Sequence, residues 1–243
     1  MGTGLDQPRC ASSGITVWPG SGTTILPNQQ FMVEGYSQDQ EIAERMCSTY
    51  KAYLKSETET VSLELVEVCL GQFRLSQAVL KPTRPLREGV EYKLVVEGLR
   101  TGQSIEHYDY ETGKYLPRTW TVSGAADELA PIWIGAPKEL GKHYDMYGCG
   151  PGLGVEFGVS CTEMKDLRVK TQIRPIGGET WTSYYLVAPE GKIDIGHGMC
   201  SGEFTLHEGK TFEAKFSLVD PAGNVTPWSK GDIRFDRPGE MDH

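Results

Sequence analysis

The sequence has few of the features that mark membrane-spanning, nucleic-acid-binding or disordered proteins. No run approaches the roughly 20 consecutive apolar residues that a membrane-spanning helix needs. Basic residues are the minority, with 24 Lys and Arg against 33 Asp and Glu. The net charge of −9 argues against nucleic acids and anionic membrane surfaces as partners, because both attract a basic face. Because 38% of the 243 residues are hydrophobic, the chain can bury a core and is not a disordered tail.

The sequence also contains no Gly-x-Ser-x-Gly, P-loop or His-Glu-x-x-His motif, which excludes the common hydrolase, nucleotide-binding and metalloprotease signatures. A nucleophilic pair of Cys161 or Cys200 with His197 is the alternative that the composition leaves open. Such a thiolate needs a third group to orient its base, and no residue marks one. We therefore predict no catalytic residues and no cofactor, and we expect that the protein is not an enzyme.

Cysteine is scarce, and the six cysteines divide evenly between the two halves of the chain, at Cys10, Cys47, Cys69, Cys149, Cys161 and Cys200. An even number permits full pairing, but six cysteines allow fifteen connectivities, so the sequence leaves the pairing open. We prefer two local disulfides, Cys47–Cys69 and Cys149–Cys200. The pairing of the remaining two cysteines is not predicted.

Two glycine-rich stretches, one around Cys149 and one running from His197 to Cys200, contain the residues most suggestive of chemistry. Thiol, imidazole and thioether groups are soft-metal ligands, typical of copper. A periplasmic metal-binding protein that uses His197, Met199, Cys149 and Cys200 is therefore the alternative function. A disulfide between the two cysteines would consume the best ligands, and it is the interpretation that we favour. The CxxC spacing typical of structural zinc does not occur.

A repeat with an offset of 120 residues relates the two halves. Residues 86–94 (LREGVEYKL) and 206–214 (LHEGKTFEA) share Leu, Glu, Gly and an aromatic residue at the same spacing. Residues 31–36 have a looser counterpart at 153–158. Two matches in the same order indicate a duplicated domain.

We place the two predicted domains at residues 1–126 and 127–243, with the boundary in a stretch of small residues before Pro131. Apolar and polar residues alternate with period two in both halves, which predicts strands with one buried face. Frequent Gly and Pro separate these short runs, so the pattern predicts an all-β fold of two sandwiches. Helical spacing at 40–48 predicts one short helix in the first domain.

Two short motifs extend this prediction to a family. Residues 219–226 (VDPAGNVT) resemble the D-x-A-G-N turn near the end of many bacterial immunoglobulin-like repeats. Residues 80–92 (LKPTRPLREGVEY) resemble the P-x-x-x-L-x-x-G-x-x-Y stretch of bacterial immunoglobulin-like domains of the surface-layer type. The resemblance implies two tandem immunoglobulin-like, or fibronectin III-like, β-sandwiches of an exported cell-envelope protein, and it brings no catalytic residues with it.

The function implied by this resemblance is that of a non-enzymatic structural or binding module, exported or on the cell surface, that contacts a protein or glycan partner. Tyr108, Tyr110 and Tyr115, beside a Thr-Gly turn, are the best candidates for the contact, because exposed aromatic residues suit sugar and protein surfaces. A hairpin filled by its own side chains is the alternative interpretation of the same residues.

The N-terminal residues contain no apolar segment typical of a signal peptide. We expect that Met1 stands in place of a removed leader, because the cysteines and the predicted architecture suit an oxidising compartment. The expected location is therefore the periplasm, the outer membrane through an anchor, or the cell surface. A cytoplasmic chain is the alternative, and an anchor removed together with the leader stays open.

Overall fold

The protein is described by a computed structural model for residues 13–162, 165–240 and 242, and the regular secondary structure of this part of the chain is almost entirely β. Its strands are β1 (Gly14–Trp18), β2 (Thr24–Ile25), β3 (Phe31–Tyr36), β4 (Lys51–Lys55), β5 (Thr60–Leu70), β6 (Leu75–Pro82), β7 (Glu91–Glu97), β8 (His107–Asp109), β9 (Lys114–Leu116), β10 (Thr119–Val122), β11 (Lys138–Tyr147), β12 (Gly150–Gly158), β13 (Arg168–Pro175), β14 (Thr182–Val187), β15 (Lys192–His197), β16 (Thr211–Val219), β17 (Val225–Pro227) and β18 (Ile233–Asp236). The predicted all-β sandwich fold is confirmed.

One short α-helix, α1 (Gln40–Glu44), follows a 3-10 turn at Ser37–Asp39. The predicted helix is confirmed in place but ends four residues earlier than expected. The reason is a tight turn, in which the Arg45 carbonyl accepts hydrogen bonds from three later backbone amides and Cys47 adopts a left-handed conformation with φ 61°. Helix α1 buries Ile42 and Ala43 and packs on β3 and β6.

The first half of the chain forms a sheet with strand order β1-β3-β6-β5-β4-β7-β10-β2. The eleven-residue strand β5 pairs with β4 near its start and with β6 along the rest, and its register shifts between Leu65 and Glu67. This long strand therefore passes from one layer of the sandwich to the other. The first core lies between the layers and contains Phe31, Tyr92 and Trp120.

The second half repeats this strand order. One layer is β11-β12-β15, which corresponds to β1-β3-β6, and the other is β14-β13-β16-β18, which corresponds to β5-β4-β7-β10. Each set has seven antiparallel strands in two layers, the count of a constant-type immunoglobulin sandwich. The repeated sequence motif precedes equivalent strands, β7 and β16, and in both copies its glycine has a positive φ, 74° at Gly89 and 65° at Gly209. The boundary near residue 126 stays a prediction.

Tyr92 adds a second feature of such sandwiches. Its hydroxyl accepts a hydrogen bond from the Arg87 backbone amide at 3.1 Å, five residues upstream, and donates one to Glu59. This geometry resembles the tyrosine corner that holds a Greek-key crossing in immunoglobulin-like domains. The Glu59 carboxylate also accepts a hydrogen bond from Arg84 at 2.7 Å. At the equivalent position of the second half stands Phe212, which has no hydroxyl to donate.

The two halves share a core. The cluster that fills the second sandwich also contains Met32, Cys69, Leu75 and Val79, which come from the first half. Alternate residues of β6 point to opposite faces, so Leu75 and Val79 enter the second core while Leu80 enters the first. Residues 75–80 are buried without exception. Strands β3 and β6 are therefore packed on both faces.

The structure contradicts both predicted disulfides, since Cys47, Cys69 and Cys149 are free thiols. Cys47 hydrogen-bonds to the Leu63 carbonyl at 3.4 Å and lies against the first core, whereas Cys69 lies in the second core. Six residues of extended strand between Leu63 and Cys69 span about 20 Å, and a disulfide needs Cα atoms less than about 7 Å apart. Cys149 is exposed in the turn between β11 and β12. Cys10 lies outside the described residues.

These environments predict a sharp difference in thiol reactivity. Burial raises the pKa of Cys69 to about 12, against an ordinary value of 9.0, so its thiolate fraction near pH 8 falls about a thousandfold. Iodoacetamide applied to the native protein should therefore modify Cys149 and leave Cys69 unmodified, as read by peptide mass spectrometry. In denaturant both should react. Modification of Cys69 at the native rate of Cys149 would contradict the described packing of β5.

Candidate functional site

The three tyrosines predicted as contact residues meet on one hairpin. Strands β8 and β9 pair only with each other, and Tyr108 lies opposite Tyr115 in their register. The Tyr108 ring centroid is 5.0 Å from that of Tyr110 and 5.3 Å from that of Tyr115, both in edge-to-face geometry. Tyr108 is 43% exposed, Tyr115 65% and Tyr110 90%. The hairpin therefore packs its own rings together, as the alternative interpretation expected, and still presents them to solvent.

Asp109 gives the tip of this hairpin a defined shape. Its carboxylate accepts hydrogen bonds from the Glu111 amide at 3.1 Å, from the Thr112 amide at 3.3 Å and from the Thr112 hydroxyl. The hydrogen bond from the Thr112 hydroxyl is the main reason that the pKa of Asp109 lies below its usual value. Gly113 closes the turn with φ 66° and donates its amide to the Asp109 carbonyl at 2.8 Å. The conformation suits a residue without a side chain.

A rigid cluster of exposed tyrosines can bind without large ordering of its own. Each ring offers apolar area and a hydroxyl group, and only two side-chain torsions need to be fixed on contact. Such rings stack on sugar faces or fill shallow pockets of a protein partner. The groups that the hairpin exposes are therefore of the kind that recognition surfaces use.

The structure does not assemble the alternative soft-metal site. The His197 Nδ1 atom is 2.8 Å from the Gly198 carbonyl oxygen, and its ring packs on Phe73 at 5.4 Å. Cys200 is disulfide-bonded and Cys149 is exposed, so the two thiolate ligands that the alternative required are not held together. Met199 lies in the turn after β15. Within residues 13–162, 165–240 and 242, no group of three or more His, Cys, Asp or Glu side chains is placed to hold a metal ion.

A buried polar cluster between the two halves was not predicted. Gln77 exchanges two hydrogen bonds with the backbone of Tyr185, donating to its carbonyl and accepting from its amide, each at 3.2 Å. The Tyr184 hydroxyl donates to Glu34 at 2.8 Å, and Gln77 Nε2 approaches the same carboxylate at 3.4 Å. The Tyr185 hydroxyl donates to Glu67 at 2.9 Å. These bonds join β3, β5 and β6 of the first half to β14 of the second.

The same region contains charges that are largely removed from water. Arg168, only 2% exposed, places its guanidinium carbon 3.5 Å from the centre of the Trp18 ring. Burial lowers the pKa of Arg168 to about 9 and raises that of Glu203 to about 7. Burial also raises the pKa of Glu34, against the hydrogen bond from Tyr184 that lowers it. No signal in the local sequence could have marked these residues, because their burial follows from the packing of one half on the other.

Comparison with known proteins gives no family for this chain, since no protein-family model and no curated protein matches it. Among solved structures, pullulanase type I from Bacillus subtilis complexed with maltose shares 10% identity over 87% of this chain and 23% of its own, with a TM-score of 0.25. This chain thus spans less than a quarter of that protein. A cytokine receptor complex shares 10% identity over 94% of this chain and 98% of its own, with a TM-score of 0.29.

A marsupial T cell receptor shares 9% identity over 92% of this chain and 72% of its own, with a TM-score of 0.24. Structural similarities this weak support no inference about the family or the function of this chain. The all-β sandwich is therefore read from the strands themselves. In the described part of the chain, no helix has the length and apolar character to cross a membrane.

Proposed function

We propose that this chain is a non-enzymatic, exported binding module made of two tandem immunoglobulin-like sandwiches, and that Tyr108, Tyr110 and Tyr115 contact a protein or glycan partner. The observation that carries the proposal is the exposed and internally braced tyrosine cluster on hairpin β8–β9. The repeated strand order and the Tyr92 hydrogen bonds support the immunoglobulin-like assignment. The periplasm, an anchored position at the outer membrane, or the cell surface is the location that we propose.

The hairpin is favoured over other surfaces because it combines exposure with fixed geometry. Tyr110 is almost fully exposed and buries little of its surface in the folded chain. Core packing therefore does not explain its position at the tip of the hairpin. The Asp109 hydrogen bonds limit the motion of the turn that presents it. Pre-organisation of this kind increases affinity, because less conformational entropy is lost on binding.

The glycan branch of the proposal is tested by an array of neutral and acidic oligosaccharides probed with the labelled full chain. Replacing Tyr110 and Tyr115 together with Ser should lower the affinity for any bound glycan about tenfold or more, equivalent to at least about 1.4 kcal/mol. The matched control is Tyr147→Ser, which removes a tyrosine that is also exposed but lies at the end of β11. This control should bind as the unmodified chain does.

The protein branch is tested by photo-crosslinking in the cells that produce the chain. A benzophenone amino acid at position 110 should form a discrete crosslinked species that the same probe at position 147 does not form. Loss of that species in the Tyr108→Ser background would place the contact on the braced cluster. The proposal would be contradicted if the tyrosine substitutions left glycan binding unchanged. It would also be contradicted if the chain showed neither binding on the array nor a crosslink specific to position 110.

A further inference from the structure

A small cavity lies where the two halves meet, and both halves form its walls. Its volume is about 130 Å³, which has room for roughly four water molecules. The lining residues that matter for its chemistry are Trp18, Met32, Glu34, Gln77, Arg168 and Glu203. The first four come from the first half and the last two from the second. The cavity is separate from the tyrosine hairpin and is not used by the function proposed above.

Arg168 brings unused hydrogen-bond donors to this cavity. Its Nε and Nη2 atoms are buried and have no hydrogen-bond partner in the described part of the chain. A buried donor without a partner is destabilising, and more so when it is charged. The Trp18 ring holds the guanidinium plane from one side at 3.5 Å, so the orientation of these two donors is fixed.

A second arginine on the same strand shows what this edge of a guanidinium binds. Arg174 uses its own Nε and Nη2 atoms to hold the Glu213 carboxylate at 3.1 and 2.9 Å. Both arginines belong to β13, and the two donors in question form the same edge of the side chain. Both donors of Arg174 reach the same oxygen, Oε2 of Glu213, so this edge of a guanidinium holds a carboxylate through two converging hydrogen bonds. The equivalent edge of Arg168 therefore suits a carboxylate supplied from outside the described chain.

The wall of the cavity has two carboxylates against one cationic side chain, Arg168, so it has room for a second cation. Glu34 and Glu203 both line it, and the Glu203 carboxylate forms no ion pair within the described residues. Two carboxylates in one buried cavity repel each other when both are ionised, and a cation between them relieves that repulsion. A primary ammonium group, with three donors, is small enough for the space.

We propose that this cavity binds a small free α-amino acid, with its carboxylate on the Nε and Nη2 atoms of Arg168 and its ammonium group between Glu34 and Glu203. The volume restricts the ligand to the size of glycine or alanine. Met32 and Trp18 give the apolar wall against which a methyl group packs. Because Glu34 belongs to the first half and Arg168 and Glu203 belong to the second, the bound amino acid stabilises the contact between the halves.

The test is isothermal titration calorimetry and thermal unfolding of the full chain with three probes: L-alanine, acetate and methylamine. L-alanine should bind saturably and raise the unfolding temperature, while acetate and methylamine, which each retain one charged end, should bind at least about tenfold more weakly. Acetate that binds as tightly as L-alanine would overturn the amino-acid assignment. The absence of saturable L-alanine binding to the folded chain would overturn the site itself.

Two variants and one control locate the binding. Arg168→Met should abolish L-alanine binding, and Arg174→Met, which removes the equivalent donors from a pair already satisfied by Glu213, should leave it unchanged. If circular dichroism shows that Arg168→Met does not fold, Glu203→Gln provides the second measurement, and it should weaken L-alanine binding about tenfold or more. Retention of full affinity by a folded Arg168→Met or by Glu203→Gln would overturn the proposal.

Discussion

Replacing Trp120 with Ala should lower the free energy of unfolding by about 3–5 kcal/mol, because the side chain fills the first core and leaves a large cavity when truncated. Trp120 is 1% exposed and meets Phe31 edge to face at 5.0 Å. Its indole N–H donates to the carbonyls of Pro19 and Gly20 at 3.1 and 2.9 Å. The substitution therefore removes packing and also releases the chain segment between β1 and β2.

Urea unfolding followed by circular dichroism measures this effect, and Trp181→Ala is the matched control. Trp181 stacks with Arg174 at 4.4 Å and Lys215 at 4.3 Å on the surface of the second half. Its loss should cost about 1 kcal/mol, the size of an exposed cation–π contact. Equal losses for the two tryptophans would show that the first core is not packed as described.

The same experiment examines how the halves cooperate. The second core includes Met32, Cys69, Leu75 and Val79 from the first half. Unfolding of the first half therefore removes these side chains from the second core. A single unfolding transition is therefore expected in the unmodified chain and in Trp120→Ala. Two separate transitions, with only one of them shifted by the substitution, would contradict the shared core.

The second large effect is a pH dependence centred on Glu203. Burial raises the pKa of its carboxyl group from 4.5 to about 7 in the folded chain. Between these values the folded state keeps a proton that the unfolded state has released, so the stability falls as the pH rises from about 4.5 to about 7. The loss contributed by this one group is about 3 kcal/mol, and it is complete above pH 7 or so.

Glu203→Gln should remove that loss, because an amide is neutral at every pH. The variant should be more stable than the unmodified chain by up to about 3 kcal/mol near pH 8 and similar to it near pH 4. The control is Glu208→Gln in the exposed turn nearby, which should show no such pH-dependent gain. A stability difference between Glu203→Gln and the parent that is constant from pH 4 to about pH 8 would exclude the buried carboxyl as its source.

The strand that the sequence pattern predicts most clearly is β7, in which buried residues alternate with exposed or half-buried ones. It follows the Glu-Gly pair of the repeated stretch at residues 86–94, and the looser repeat at residues 31–36 coincides with β3. β11 was not predicted, because nine of its ten residues are exposed or half-buried and its sequence shows no alternation. Its ladder with β12 is set by backbone hydrogen bonds, which leave little trace in side-chain composition.

The candidate contact residues could be predicted because the signal is local: Tyr108 and Tyr110 precede the Thr-Gly turn and Tyr115 follows it. The cysteine pairing could not, since it depends on which of the two cores each thiol packs against. The closeness of Cys47 and Cys69 in the sequence favours a disulfide between them, but the structure places the two thiols against different cores. Glu34 sits in a correctly predicted strand, yet its burial requires β14 to pack over it.

The layer that β6 shares between two cores has a mechanical consequence. Cutting the chain near residue 126 would expose Met32, Leu75 and Val79 to solvent as an apolar surface. The first half is therefore expected to aggregate when it is produced alone. In the intact chain the two sandwiches are in direct side-chain contact in this region and are not separated by a flexible linker. A force applied to one sandwich is therefore transmitted to the other through the packed side chains that they share.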